Sequence, residues 1–172
     1  EYLMRTFDLE ESRLREEITR RGAKRVLVQL PEGLKAEAPR LAPIIEEAGA
    51  LAIVSADPCY GACDLALTEA EALKADLVIH YGHAEKVTKR EKIPVPVLYI
   101  EARVNLDIRA VVEKAIEELN PWTKIGLATT VQHVHTLKEA REILEKAGKI
   151  VHVGDAGSLK YPGQVLGCDY SN

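Results

Sequence analysis

The stretch Ala23-Lys24-Arg25-Val26-Leu27-Val28-Gln29 opens the pattern that decides the fold. It is a short apolar run that predicts a β-strand, and a helical segment from Leu34 to Gly49 and a second apolar run, Leu51-Ala52-Ile53-Val54, follow it. Near-continuous apolar runs separated by helices are typical of parallel sheets that are covered on both faces. The stretch therefore predicts an α/β fold.

The same order of elements occurs a second time later in the chain. Thr123-Lys124-Ile125-Gly126-Leu127-Ala128-Thr129 is the strand, residues 137–148 form the helix, and Ile150-Val151-His152-Val153 is the second strand. Repetition at one fixed spacing indicates duplicated units. We predict a first α/β domain over residues 1–104 and an incomplete second α/β domain over residues 105–172.

Further elements complete the first copy and lead into the second. An amphipathic helix over residues 8–21 is expected to end at Gly22, and Asp107 is the expected N-cap of the helix that leads into the second copy. The helix that begins after Asp107 is expected to end at Leu119. We also predict a helix over residues 64–74 and strands over residues 75–80 and 95–100. The first copy therefore has a parallel sheet of the four-stranded type, flanked by helices.

Two cysteines lie at equivalent places in the two copies. After the second strand, the first copy reads Cys59-Tyr60-Gly61-Ala62-Cys63-Asp64 and the second reads Leu166-Gly167-Cys168-Asp169. A lone cysteine is by default a small buried hydrophobe, but the duplicated position favours Cys63 and Cys168 as ligands of a shared metal centre. Cys59 has no counterpart and is interpreted as a bystander, although its C-x-x-x-C spacing with Cys63 would allow a common metal.

Two thiolates are too few for a closed four-thiolate zinc site or a fully ligated iron–sulfur cluster. A third unit of the same kind, which this chain lacks, would supply a third cysteine. Three thiolates on a 4Fe-4S cluster leave one iron open to a substrate or cofactor. The second copy stops without the helix and later strands that complete the first, so we expect this chain to be a fragment.

Polar residues and glycines are concentrated where the predicted strands end. The carboxyl ends of parallel strands form one edge of a sheet, and ligands bind there. Pro31-Glu32-Gly33 is also explained by a simple turn, and His80, at the end of an apolar strand, is interpreted as a packed histidine. The candidate cofactor-binding residues at this edge are Gln29, Gly33, His83, Thr129, Gln132 and His133.

Composition excludes several classes of protein. The 172 residues carry a net charge of −4, and their lysines and arginines are scattered among acids, so we expect no direct binding to nucleic acid. No apolar run reaches the length that spans a bilayer, and no charged-then-apolar leader opens the sequence, so we expect a cytoplasmic protein without a membrane association. In that reducing compartment the three cysteines are not expected to form structural disulfides.

Five strings in the same order resemble a known family. They are Val28-Gln29-Leu30-Pro31-Glu32-Gly33-Leu34, Tyr60-Gly61-Ala62-Cys63-Asp64, His80-Tyr81-Gly82-His83, Thr129-Thr130-Val131-Gln132-His133-Val134-His135 and Pro162-Gly163-Gln164-Val165-Leu166-Gly167-Cys168-Asp169-Tyr170-Ser171. Together they resemble the archaeal diphthamide synthases that make 2-(3-amino-3-carboxypropyl)histidine, and the resemblance covers essentially the whole chain.

The resemblance implies a fold, an activity and a cofactor. Members of this family are homodimers of three similar α/β domains, and each domain gives one cysteine to a 4Fe-4S cluster. They cleave S-adenosyl-L-methionine by a non-classical radical reaction and transfer the 3-amino-3-carboxypropyl group to a histidine of translation elongation factor 2. By motif match, Cys63 and Cys168 would be the first and second cluster ligands, and the third would lie in the domain that this chain lacks.

Three other functions compete with this one. Quinolinate synthase is also a three-domain 4Fe-4S enzyme, but its motifs are not found here. A non-catalytic accessory subunit would use the same cysteines for a structural metal. A plain nucleotide-binding domain is disfavoured because neither G-x-G-x-x-G nor a G-K-[S/T] loop follows the first strand.

Overall fold

The structure is a computed structural model that describes residues 6–85 and 93–169. The chain divides into two compact units. One extends from Asp8 to Ala102, and the other begins at Arg103 and also includes Phe7. We describe each unit by itself.

The first unit contains a parallel sheet flanked by helices. Its sheet has the strand order β3-β2-β4-β5, and every pair of neighbours is parallel. This arrangement confirms the predicted α/β class and the four-stranded parallel sheet. From β1, which spans the boundary of the two units, the elements are β1 (Phe7–Asp8), α1 (Glu11–Arg21), β2 (Arg25–Gln29), a 3₁₀ helix (Glu32–Glu37), α2 (Ala38–Glu47), β3 (Leu51–Val54), α3 (Leu67–Ala72), β4 (Leu77–Tyr81) and β5 (Val97–Ile100).

The two central strands, β2 and β4, form the core of this unit. Val26 and Leu27 of β2 and Leu77, Val78 and Ile79 of β4 are completely buried. Side chains alternate between the faces of a strand, and Leu27 and Val78 share a face that packs on α3. Each such side chain stabilises the fold by about 1.5–3 kcal/mol. The central position of β2 explains why its apolar run is nearly continuous.

Three helices of the first unit differ from the predicted bounds. The backbone N–H of Glu10 donates to the Asp8 carboxylate at 3.0 Å, and Glu10 has a φ of +50°, so α1 begins only at Glu11. The helix predicted from Leu34 begins as the 3₁₀ helix and becomes α-helical at Ala38. The helix predicted over residues 64–74 is shortened to α3. The C-terminal end of α1 is as predicted, because Gly22 ends that helix in the left-handed conformation.

The second unit repeats the strand–helix–strand order. Strands β7 and β8 are parallel, and Ile125 pairs with Val151 just as Val26 pairs with Ala52 in the first unit. The predicted N-cap, Asp107, lies one residue too early, because Ile108 occupies the N-cap position of α4. The Asp107 carboxylate nevertheless accepts a hydrogen bond of 2.9 Å from the backbone N–H of Arg109, the first residue of the helix. The elements are β6 (Arg103–Val104), α4 (Arg109–Glu118), β7 (Lys124–Leu127), a 3₁₀ helix (Val131–Thr136), α5 (Leu137–Lys146) and β8 (Ile150–Val153).

None of the helices in the described ranges combines the length and the apolar character that crossing a membrane requires.

Candidate metal centre and strand-end loops

Cys63 lies at the third position of a tight turn in the loop after β3. The backbone N–H of Asp64 donates to the carbonyl oxygen of Gly61 at 3.0 Å and closes the turn. The Asp64 carboxylate accepts a hydrogen bond of 3.0 Å from the backbone N–H of Tyr60. The Cys63 thiol is exposed and forms no disulfide. The turn therefore presents this thiol outward on a backbone of fixed shape.

Buried Gln29, at the end of β2, holds this loop. Its Nε2 donates to the carbonyl oxygen of Asp64 at 2.7 Å, and its Oε1 accepts from the backbone N–H of Ala66 at 3.2 Å. On the other side of the turn, the Tyr99 hydroxyl donates to the carbonyl oxygen of Ala62 at 3.3 Å. Residues from β2 and β5 thus flank the turn of Cys63 and fix it to the sheet.

Cys168 lies at the same position of an equivalent turn in the second unit. The backbone N–H of Asp169 donates to the carbonyl oxygen of Leu166 at 3.3 Å, and the reciprocal hydrogen bond measures 3.0 Å. The Asp169 carboxylate accepts from the Ser158 hydroxyl at 2.6 Å. The Cys168 thiol is also exposed and forms no disulfide. In both units the cysteine precedes an aspartate whose carboxylate is anchored in its own loop.

The loop of Cys168 is fixed to the end of β7. The backbone N–H of Thr129 donates to the carbonyl oxygen of Gly163 at 2.8 Å, and the N–H of Val165 donates to the carbonyl oxygen of Thr129 at 2.9 Å. Gln164 is buried, and its Oε1 accepts from the backbone N–H groups of Lys160 and Tyr161, each at 3.2 Å. The loop conformation is therefore determined by the strand-end backbone and by one buried amide.

Each of the two turns offers the kind of donor that an iron–sulfur cluster takes. Thiolates are the usual protein ligands of such clusters, and each unit offers one exposed thiol on a rigid turn. Neither cysteine is consumed in a disulfide. One thiol per unit leaves further positions of a cluster for donors outside these two turns.

The other predicted site residues divide into accessible and buried groups. Gly33 is exposed in the 3₁₀ helix after β2, whereas Thr129, Gln132 and His133 are half-buried at and after the end of β7. His83 is half-buried, and burial lowers the pKa of its imidazole, which favours the neutral ring. Gln29 is only 2% exposed, and its amide is engaged by the loop, so its side chain acts as a support for Cys63.

Each unit has a cavity beside its cysteine-bearing loop. The first has a volume of about 380 Å³ and is lined by Gln29, Tyr60 and Asp64 among others. The second has a volume of about 490 Å³ and lies beyond the end of β8. Its walls include a cationic set that the sequence analysis did not single out: Arg103, Lys138 and Arg141. Both volumes are in the range of small-molecule sites.

The sequence analysis also missed a cluster that contains Cys59. This cysteine is buried, and its Sγ lies 3.9 Å from Nε2 of His80. The same Nε2 lies 2.9 Å from Nδ1 of His83. Burial raises the pKa of the Cys59 thiol, so this cysteine is protonated at neutral pH. The His80 side chain is fully buried, as expected of a packed histidine. The signal in the sequence was the pair of spacings C-x-x-x-C and H-x-x-H.

Three comparisons with known proteins agree with this description. The family model described as "Putative diphthamide synthesis protein" matches residues 30–172. The 2-(3-amino-3-carboxypropyl)histidine synthase of Pyrococcus horikoshii is 40% identical over 95% of this chain and 48% of its own length. Subunit 1 of the human enzyme of that name is 34% identical over 85% of this chain and 33% of its own length.

A crystal structure of Dph2 from Pyrococcus horikoshii has the same fold. It matches 97% of this chain and 49% of that chain with a TM-score of 0.86 and 38% sequence identity. A second crystal structure of that protein, described as containing a 4Fe-4S cluster, matches equally well. The chain spans about half the length of these Pyrococcus horikoshii proteins.

Fold and loops together define an α/β protein of repeated units that presents one exposed thiol after the second strand of each unit. The chain belongs to the diphthamide synthesis protein family. The resemblance that the five strings indicated is thereby confirmed.

Proposed function

We propose that this chain is part of an enzyme that catalyses the first step of diphthamide biosynthesis. In this reaction S-adenosyl-L-methionine is cleaved, and its 3-amino-3-carboxypropyl group is transferred to a histidine of translation elongation factor 2. The observation that carries the proposal is the equivalence of Cys63 and Cys168, each exposed at the third position of a turn that ends in an aspartate. The names of the relatives and the cluster in Dph2 support it.

In this proposal Cys63 and Cys168 are two ligands of a 4Fe-4S cluster. A third thiolate comes from a residue outside these 172 residues, in keeping with the share of the relatives that the chain spans. A cluster with three thiolate ligands would supply an open iron for the methionine moiety and an electron for the sulfonium. The fixed turns of both cysteines would hold their thiolates in position without reorganisation of the loops.

The residues of this chain would orient S-adenosyl-L-methionine so that one particular carbon–sulfur bond breaks. Gly33 and His83 follow the ends of β2 and β4, and Thr129, Gln132 and His133 follow β7. Exposed backbone at Gly33 and half-buried polar side chains at the other four positions are suited to bind the amino, carboxylate and hydroxyl groups of this molecule. Gln29 contributes indirectly, through its hydrogen bond to the loop of Cys63.

The remaining parts of the proposal concern partners and location. The protein substrate is elongation factor 2, the full-length enzyme is a homodimer, and the reaction takes place in the cytoplasm. No nucleic acid and no membrane enter the reaction. The net charge of −4 agrees with a protein substrate better than with a polyanion.

The experiment that tests this proposal measures product on elongation factor 2. The full-length protein is reconstituted anaerobically and reduced, and the modified histidine is quantified by mass spectrometry. We expect Cys63→Ala and Cys168→Ala each to lower the rate of product formation by about 100-fold or more. Loss of a residue that only hydrogen-bonds to a metal ligand typically costs about 10–100-fold, and loss of the ligand itself should cost more. The control is Glu46→Ala, at an exposed position of α2. Cleavage of S-adenosyl-L-methionine without transfer, or wild-type product from both cysteine variants, would contradict the proposal.

A further inference from the structure

We propose that Cys59, His80 and His83 form a second metal site, distinct from the thiols of Cys63 and Cys168, that binds one Zn²⁺ ion. The potential ligand atoms are Sγ of Cys59, Nε2 of His80 and Nδ1 of His83, and all three lie within 4.8 Å of one another. This inference concerns the first unit alone and does not depend on the proposed enzymatic function. With Nδ1 of His83 on the metal, only Nε2 of that ring remains for S-adenosyl-L-methionine.

Two of the three separations between the ligand atoms are close to those of a zinc site. With Zn–N bonds of about 2.0–2.1 Å and a Zn–S bond of about 2.3 Å, tetrahedral coordination separates two nitrogens by about 3.3 Å and a nitrogen from a sulfur by about 3.6 Å. The observed separations are 2.9 Å between His80 Nε2 and His83 Nδ1, and 3.9 Å between Cys59 Sγ and His80 Nε2. Shifts of a few tenths of an ångström would bring both pairs to the coordination geometry.

The tautomer of His80 is fixed in the form that a metal requires. Gln29 uses its Nε2 as the donor to the Asp64 carbonyl, and its Oε1 accepts from the Ala66 N–H. Its Oε1 therefore faces Nδ1 of His80 at 2.9 Å, so Nδ1 carries the proton and Nε2 carries the lone pair. A hydrogen bond from the second ring nitrogen to a protein oxygen is the usual way in which a metal-binding histidine is oriented.

Burial and ligand type select the metal. Cys59 and His80 are buried, whereas His83 is half-buried, so the site has one side from which an ion and a water ligand can enter. One sulfur and two imidazole nitrogens suit Zn²⁺ better than the hard cations Mg²⁺ and Ca²⁺, which prefer oxygen. On binding, the Cys59 thiol loses its proton to solvent and the thiolate takes its place as a ligand, while the proton on the His83 ring moves from Nδ1 to Nε2.

The site would connect two segments that end at the same edge of the sheet. Cys59 lies four positions before Cys63 on the loop after β3, and His80 and His83 lie in and after β4. A bound ion would therefore hold the loop that presents Cys63. The three ligands come from two separate sequence strings, so neither string alone reveals the site.

Metal content of the full chain tests the inference. The parent protein carries Cys63→Ser and Cys168→Ser, which removes the exposed thiols. After incubation with Zn²⁺ and removal of excess ion, we expect about one equivalent of zinc by mass spectrometry, because the three groups share one ion. Co²⁺ used as a probe should give the absorption of a thiolate-bound tetrahedral ion. A folded parent protein that retains no zinc would overturn the proposal.

Three variants of the parent show whether the retained zinc is at this site. Cys59→Ser and His83→Gln should each lower the affinity by more than 100-fold, and Gln29→Ala, which removes the partner of His80 Nδ1, by about 10–100-fold. The matched control is His152→Gln, an exposed histidine of β8 in the other unit, which should bind as the parent does. Circular dichroism establishes that each variant is folded. Equal zinc content in the parent and in a folded His83→Gln variant would overturn the proposal, even if Cys59→Ser fails to fold.

Discussion

The amide of Gln29 donates a hydrogen bond of 2.7 Å to the carbonyl oxygen of Asp64 and so joins the end of β2 to the residue that follows Cys63. These two residues are far apart in the sequence. The same amide, through its Oε1, contacts Nδ1 of His80 at 2.9 Å. One buried side chain thus supports both the exposed thiol and the cluster of Cys59, His80 and His83.

Substitution of Gln29 should therefore destabilise the first unit. Gln29→Ala removes the hydrogen bonds that its amide makes with the Asp64 carbonyl and with Nδ1 of His80, and the loss of a buried hydrogen-bonding partner costs about 1–3 kcal/mol. We expect the free energy of unfolding in urea to fall by about this amount. Glu46→Ala, on the exposed face of α2, is the control and should change stability by less than about 0.5 kcal/mol. Equal stability of the two variants would refute the supporting role of Gln29.

Gly163 and Gly167 lie in the same loop but should differ in their tolerance of a side chain. Gly163 has a φ of +68°, and a Cβ there would lie 2.7 Å from Cγ1 of Val153 and 2.8 Å from Cδ1 of Leu137. Gly167 has no such φ and has open space around it. We expect Gly163→Ala to cost about 1–3 kcal/mol and Gly167→Ala to be close to neutral in the same unfolding measurement. Similar losses in the two variants would be inconsistent with the loop geometry described here.

Cys59 should react with iodoacetamide more slowly than Cys63 and Cys168. Cys63 and Cys168 are exposed, whereas Cys59 is 5% exposed and burial raises the pKa of its thiol. The thiolate is the reactive species, so Cys59 should be modified at least about 10-fold more slowly at neutral pH, as peptide mass spectrometry would measure. In urea all three should react alike, which is the control for intrinsic reactivity. Rapid modification of Cys59 in the folded protein would contradict its burial.

Substitutions after β7 should weaken the binding of S-adenosyl-L-methionine. Gln132 and His133 are half-buried in the 3₁₀ helix Val131–Thr136, and the loss of one hydrogen bond to a ligand costs about 1 kcal/mol. We expect Gln132→Ala and His133→Ala in the full-length, cluster-containing protein to raise the Kd by about 5-fold each in anaerobic equilibrium dialysis. His152→Gln is the control. Unchanged affinity in both variants would remove these two residues from the proposed site.

Local periodicity and the repeat predicted the framework of the fold. The helix Leu137–Lys146 and the strands Leu51–Val54 and Ile150–Val153 occur at their expected positions because each is a regular apolar pattern between glycine or polar residues. The repeat also identified Cys63 and Cys168 as equivalent, and their two turns have the same hydrogen-bond closure. These features depend on residues that are close together in the sequence.

Tertiary contacts determine the features that the sequence analysis did not predict. Residues 64–66 were expected to be helical, but Gln29 engages the carbonyl of Asp64 and the N–H of Ala66, and α3 begins only at Leu67. Cys59 was interpreted as a bystander because it has no counterpart in the repeat. Its proximity to His80 results from the position of β4 in the sheet, which no local pattern reveals.

The central claim is that Cys63 and Cys168 are ligands of one 4Fe-4S cluster. The most direct measurement is the iron content and the visible absorption of the anaerobically reconstituted full-length protein, compared with Cys63→Ala, Cys168→Ala and the double variant. We expect about four iron atoms per chain in the parent and a loss of most of the iron and of the absorption in each variant. Retention of the parent's iron content and absorption in folded Cys63→Ala and Cys168→Ala variants would contradict the claim.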